Sequence, residues 1–351
     1  MSATYDSLAG LPLRIEGYEL EILTLQLAPE FTRLTTVVTL HGAGETGVGE
    51  DVVYDAVDHE AQAAAGPTLP LAGDWTVESF GRHLDGLDLF PREPVRPFSR
   101  NYRRWAFESA ALDLALRQAR ASLADALGRE PRPVSFVVST RLDGDDGAGR
   151  VWRLLGGRPG LRFKLDPTDE WTPELIEELA ATGAVDTLDM KGAYDDVPFG
   201  VPRDPRTYAR VVAAFPGAWI EDPKLTPELR AALSGAEDRV TWDAPIHSVA
   251  DVRALEWAPR MINVKPSRVG PLRELMDLYD YLRDNGIGAY GGGQTELGPG
   301  RGQIQYLASL FHPEGPNDTA PGGYNHPSLP PGLPGPPLPV AAAPTGFRWG
   351  Q

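Results

Sequence analysis

Five charged residues recur at the ends of short apolar runs: Lys164 in RFKLDP, Asp189 in DTLDMKG, Glu221 in AWIEDP, Asp243 in VTWDAP and Lys265 in INVKPSRVG. Three carboxylates between two amines suit a hard divalent cation such as Mg2+, which takes oxygen ligands in near-octahedral array. The chain has no cysteine, and none of these five positions is histidine, which speaks against zinc and copper. A cation held by Asp189, Glu221 and Asp243 would take a substrate carboxylate and stabilise the second negative charge that forms when the adjacent carbon loses its proton. Lys164 and Lys265 are the candidate catalytic groups. A lysine base needs a pKa well below its free value of about 10.4, and a second cation nearby lowers it.

The gaps between the five are 25, 32, 22 and 22 residues. A strand, a loop, a helix and a return turn need about that length, so each residue falls near the C-terminal tip of a successive parallel strand. In a closed barrel those tips converge on one mouth. Strands are expected in PVSFVVS, LRFKLD, VDTLDM, AWIED, RVTWD, MINVK and IGAYGG, and PNDTAPGGYN (316–325) supplies an eighth strand or a closing loop. Helices are expected over 174–181, 205–214, 227–234, 249–256, 271–285 and 298–310. Lys164 and Lys265 then lie on the second and sixth strands, on opposite sides of an eight-stranded ring.

Ahead of the barrel, 18–27 alternates apolar and polar residues, 32–41 is rich in β-branched residues, and a third strand is expected near 49–54. Helices are expected over 56–65 and 75–88, and one long helix over 104–128. The chain thus divides into an α+β unit (1–103), a linking helix (104–130), a barrel (131–325) and a tail (326–351). The tail segment HPSLPPGLPGPPLPV holds seven prolines, which neither donate to a ladder nor extend a helix, and the apolar TGFRW suggests docking on the body.

With 351 residues and 42% hydrophobic content the chain can fill a barrel core and that of a smaller domain. No run approaches the roughly 20 apolar residues of a membrane span, and the N-terminus lacks a basic-then-apolar leader, so a cytoplasmic protein is expected. A net charge of −16 disfavours nucleic acid and anionic membranes as partners. It leaves room for a small anionic substrate, because a bound cation and lysines reverse the local field.

Taken in order, FKLD, DMKGAY, WIEDP, WDAP, VKPSRVG and GGGQTELGPGRG resemble the enolase superfamily, and more closely its muconate-cycloisomerase-like branch; GAGETGVGEDVVY resembles the family's capping segment. The resemblance implies an α/β fold: a modified TIM barrel, (β/α)7β, with an N-terminal α+β capping domain. It implies Mg2+, with Mn2+ as a substitute, and abstraction of a proton α to the carboxylate of a small acid. Racemisation or epimerisation, cycloisomerisation or β-elimination would follow, and assembly into a homo-oligomer is compatible with it.

Position by position, Lys164 matches the last lysine of the family's paired-lysine strand, and Arg162 stands at the partner position. Asp189 matches the first metal ligand, but Lys191 replaces the usual asparagine, a cation that either weakens metal affinity or engages an anionic substrate. Glu221 matches the second ligand and Asp243 the third, with Ala244 and Pro245 in place of an acidic and a small polar residue. Lys265 with PSRVG matches well, and Glu296 matches a late-strand acidic position near the site. Arg162, Lys191 and Glu296 are therefore candidate supporting or substrate-binding groups. Two other readings stay open: a metal-free lyase forming a Schiff base on a barrel lysine, and a barrel that binds ligand without turnover. Blander roles compete too, among them strand-end acids as helix caps and Lys164 as a structural partner of Asp166.

Overall fold

The computed structural model describes residues 3–142, 147–193, 201–326 and 329–350. The N-terminal half opens with α1 (Ala3–Ala9) and β1 (Pro12–Ile15), which pairs antiparallel with β5 (Gly73–Thr76). Between them, β2 (Gly17–Ala28), β3 (Phe31–Gly42) and β4 (Glu45–Asp51) form an antiparallel sheet, followed by α2 (Ala56–Ala65). The next helix, α3, runs Val77–Asp85 rather than from Trp75. The Thr76 hydroxyl accepts from Ser79 N while the Ser79 side chain takes the Thr76 N–H, so this capping box leaves Trp75 and Thr76 to the strand.

Helix α4 (Ser99–Gln118) lies against β4 at very close range. A Cβ on Gly47 would stand 2.2 Å from Ala110 O, and one on Gly49 2.1 Å from Ala106 O. Only glycine admits this approach. The expected single helix over 104–128 is two: Arg120 takes φ 53, and Ser122 then caps α5 (Leu123–Leu127). The C-terminal segment docks at that break, with Gly346 N donating to Ala121 O and Leu123 N to Gly346 O.

The second half alternates strand and helix: β6 (Val138–Thr140), α6 (Gly149–Gly157), β7 (Phe163–Leu165), α7 (Pro173–Ala181), β8 (Val185–Asp189) and α8 (Pro205–Ala214). It continues through β9 (Trp219–Glu221), α9 (Pro227–Ala232), β10 (Val240–Trp242), α10 (Val249–Ala254), β11 (Met261–Val264), α11 (Pro266–Val269), α12 (Leu272–Asp284), β12 (Gly288–Gly291) and α13 (Pro299–Phe311). Helices α7, α8 and α9 start at a proline preceded by a capping Thr172, Asp204 or Thr226, because proline lacks the N–H that a first turn leaves unpaired. The seven strands pair in parallel in chain order from β6 to β12. Closure falls to two residues of the expected eighth strand: Asn317 bridges Phe136, and Asp318 bridges Gly292. The result is a (β/α)7β barrel with an α+β domain against it.

Three clamps hold the two halves together. Arg33, fully buried, donates to Gln294 O and Val52 O, and the Glu50 carboxylate accepts from Leu297, Gly298 and Gly300 N–H groups at the start of α13. Asn101 donates to Arg268 O. The tail is held as well: Leu338 pairs with Val134, Phe347 and Trp349 are buried, and Arg348 meets Asp113 at 2.9 Å. Among the described residues, no helix is long and apolar enough to cross a membrane.

Candidate active site

In the closed ring β7 and β11 are four strands apart, so Lys164 in β7 and Lys265 just beyond β11 face each other across the mouth. Asp189 ends β8, Glu221 ends β9 and is its register partner, and Asp243 follows β10 directly. All five are buried. Above them is a cavity of about 800 Å³, lined by Lys164, Lys191, Lys265 and Arg268 among others and roofed by Tyr54, Phe98 and Tyr102 of the N-terminal half. Glu221 does not line it; it sits beneath Lys164.

The amines are bonded into the acids rather than poised above them. The Lys164 ammonium lies between Glu221 Oε1 and Asp189 Oδ2, the latter at 3.1 Å. Lys191 Nζ stands 2.7 Å from Asp189 Oδ2 and 3.3 Å from Asp166, and Lys191 N donates to Asp189 Oδ1 at 3.1 Å. Tyr290 Oη and Asn263 Nδ2 donate to Glu221 Oε2. Asp243 is shared: Oδ2 accepts from Lys265 at 2.8 Å and Oδ1 from Arg268 at 2.6 Å.

Burial alone would strip the proton from Lys164, but Asp189 and Glu221 outweigh it and hold the ammonium well above the usual lysine range. Burial would likewise raise Asp189 and Asp243; their lysine and arginine neighbours reverse that and keep both ionised. Glu221 goes the other way. Burial, with Asp189, Asp243 and Asp222 close by, raises its pKa against the pull of Lys164.

These contacts bear on metal binding. Magnesium needs carboxylate oxygens free to converge on one point, yet all six oxygens of Asp189, Glu221 and Asp243 already accept from a protein donor. Among the described residues, no group of three or more His, Asp or Glu side chains is placed to hold a metal. As arranged, the donor set does not fit the cation that its residue types suggest.

Of the three supporting candidates, Lys191 lines the cavity. Glu296 lies just behind it, accepting from Gln294 N at 2.6 Å and facing Arg301 at 3.0 Å, and so props the 293–296 loop. Arg162 is not at the mouth. Its Nε meets Asp186 at 3.0 Å and its Nη1 donates to Gly183 O at 2.6 Å, in a separate cleft lined by Ser135, Trp219 and Glu314. It precedes Lys164 by two residues, and at about 3.3 Å per residue that places it toward the opposite end of the barrel.

Two site residues escaped the sequence reading although their motifs were singled out. Arg268 stands three residues after Lys265 on one helical turn, a spacing that brings both to the same acid. Asp222 takes φ 45, and its carboxylate accepts from the Asp243 and Ala244 N–H groups, each at 2.8 Å. That positions Asp243. Nothing in the sequence signals a left-handed aspartate at this point.

The capped (β/α)7β barrel is the fold of enolase-superfamily structures, and the chain resembles the muconate-cycloisomerase-like branch, whose members are enzymes. The chain belongs to the family described as the domain of unknown function DUF8230, matching its N-terminal domain over residues 6–126 and its C-terminal domain over 130–326. It is 27% identical to the N-succinylamino acid racemase of Thermus thermophilus, over 88% of this chain and 85% of the relative. Its fold is similar to that of muconate cycloisomerase from Pseudomonas fluorescens (TM-score 0.68, 18% identity, 96% of each chain covered). It is also similar to that of a dipeptide epimerase from Methylococcus capsulatus complexed with Mg ion (TM-score 0.64, 20% identity, 85% of each chain covered).

Proposed function

We propose that this enzyme removes the proton α to the carboxylate of a small acid, leading to racemisation or epimerisation, cycloisomerisation or β-elimination. The observation that carries this reading is the placement of Lys164 and Lys265 on opposite sides of one cavity, across a layer of buried acids. Lys265 is the base. Asp243 keeps Arg268 as a partner when the Lys265 amine is neutral, so losing that charge does not strand a buried carboxylate. Lys164, clamped by two acids, stays an ammonium and serves as counter-charge or proton donor on the other face.

In the step itself the Cα–H proton passes to Lys265 Nζ, and the bonding pair moves into the substrate carboxyl group to give an enediolate. The proton then returns to carbon, or a β-substituent leaves with its electron pair. Lys164, Lys191 and Arg268 supply fixed positive charge close to the enediolate oxygens. Mg2+ or Mn2+ is the cofactor that the resemblance assigns to Asp189, Glu221 and Asp243, but every oxygen of those acids is already engaged by a protein donor. Lys191, Lys265 and Arg268 line the cavity and would pair with the carboxylates of a dianion, the character of the N-succinylamino acids in the Thermus relative's name.

The test is solvent-deuterium exchange followed by proton NMR, using a panel of N-succinylamino acids and small dicarboxylates, with and without added Mg2+. Loss of the Cα–H signal from at least one acid is expected. No exchange with any acid under either condition would refute the reading.

A further inference from the structure

We infer that this chain replaces the divalent cation of its barrel mouth with its own ammonium groups, chiefly Lys191, and does not bind the metal. The inference goes beyond the proposed reaction and does not depend on which acid is turned over. It starts from position. Lys191 follows the β8 tip by two residues, takes the left-handed φ of 47, and returns its side chain onto the Asp189 carboxylate that its own backbone N–H also meets.

Three further observations agree. First, Asp166 lies on the far side of the Lys191 ammonium at 3.3 Å, so the amine bridges two acids as a resident cation would. Second, the oxygens that would have to turn toward a metal are held: Glu221 by Lys164, Tyr290 and Asn263, and Asp243 by Lys265 and Arg268. Third, the position of a bound cation is already taken by protein cations among the described residues. Asp166, Asp189, Glu221, Asp243 and, at 3.8 Å, Asp318 face Lys164, Lys191, Lys265 and Arg268, so four cations of the protein already stand among the acids of the mouth. A dication entering this buried cluster would be repelled by the ammonium groups and would find every oxygen of Asp189, Glu221 and Asp243 already engaged. The cluster supplies positive charge to a substrate carboxylate with no added ion.

Chelator-stripped full chain is titrated with Mn2+, and free Mn2+ is followed by electron paramagnetic resonance. Wild type is expected to leave the Mn2+ signal unchanged. Lys191→Asn, which removes the amine and offers an oxygen, is expected to take up one Mn2+ per chain, at least roughly a hundredfold more tightly than wild type. Lys191→Arg, which keeps the charge, should behave as wild type. Stoichiometric Mn2+ binding by wild type overturns the inference on its own, so the test stands even if a variant fails to fold. A folded Lys191→Asn chain that remains blind to Mn2+ also overturns it. No turnover is measured, so failure here and failure of the deuterium-exchange test are separate results.

Discussion

Lys191 Nζ lies 2.7 Å from Asp189 Oδ2, which puts a fixed positive charge on the first of the three strand-tip acids. Each of the three is thus paired within the protein: Asp189 with Lys191 and Lys164, Glu221 with Lys164, and Asp243 with Lys265 and Arg268. The two candidate catalytic lysines differ in kind. Asp189 has Lys191 as a second cation, but among the described residues Glu221 is ion-paired with Lys164 alone, whereas the acid beneath Lys265 keeps Arg268.

That difference separates two variants. Lys265→Ala is expected to lower deuterium exchange by about 10²- to 10⁴-fold, the usual worth of a positioned base, while leaving stability nearly unchanged because Arg268 still pairs Asp243. Lys164→Ala is expected to lose exchange and also about 3 kcal/mol of stability, since it leaves buried acid uncompensated. Exchange rates and urea denaturation of the two variants side by side check both. A Lys265→Ala protein exchanging at the wild-type rate removes Lys265 as the base.

Arg103 is fully buried, as is its partner Asp51 at 2.8 Å, and its guanidinium lies 3.6 Å from the centre of the Phe90 ring while donating to Leu89 O and Asp58 O. Arg103→Ala strands Asp51 and should cost about 3–5 kcal/mol. Replacing both partners, with Asp51→Asn beside Arg103→Met, should recover part of that loss. Denaturant midpoints of the single and double variants read this out.

At Gly49 a β-carbon would meet Ala106 O at 2.1 Å and Ser109 Oγ at 2.5 Å. The obstacle is helix backbone, so α4 or β4 must move as a unit. Gly49→Ala is expected to destabilise by about 1–3 kcal/mol, the range for overpacking, and to lower thermal stability measurably in calorimetry. Gly44→Ala, where a β-carbon meets nothing but φ is +77, should cost less and by strain alone.

His312 gives a pH dependence. It is buried against the Tyr279 hydroxyl and Asn317 Oδ1, and burial lowers its pKa from 6.5 to about 4. Between those values the unfolded chain binds the proton and the folded chain does not, so stability falls as pH drops from about 6.5 toward 4 and levels off below. The full loss is about 3 kcal/mol, at about 1.4 kcal/mol per pKa unit. A His312→Gln variant should show a correspondingly flatter stability curve over that window in urea titrations, whereas an unchanged curve would remove His312 as the cause.

Several elements were legible because local chemistry fixes them. Pro205–Ala214 begins and ends where the capping aspartate, the proline and the apolar spacing predict. The strand tips carrying Lys164, Asp189, Glu221, Asp243 and Lys265 follow from the repeat spacing alone. Errors fall where distant segments intervene. PVSFVVS reads as one strand, yet only Val138–Thr140 joins the sheet, because Val134 pairs with Leu338 and Phe136 with Asn317. The helix expected through Arg120 breaks although no glycine or proline marks the spot, since Gly346 takes the hydrogen bonds at Ala121 and Leu123.

The sequence by itself determined the order of strands and helices, the ring position of each charged tip and the family to which the chain is related, because these depend on residue type and spacing along the chain. Only the tertiary structure decided what the charged groups do to one another. Whether Lys191 points to solvent or onto Asp189, and whether Arg162 reaches the mouth or the far end, depends on backbone angles and strand rise in three dimensions. Charge pairing acts over a few ångströms of space, and separation along the chain does not encode it.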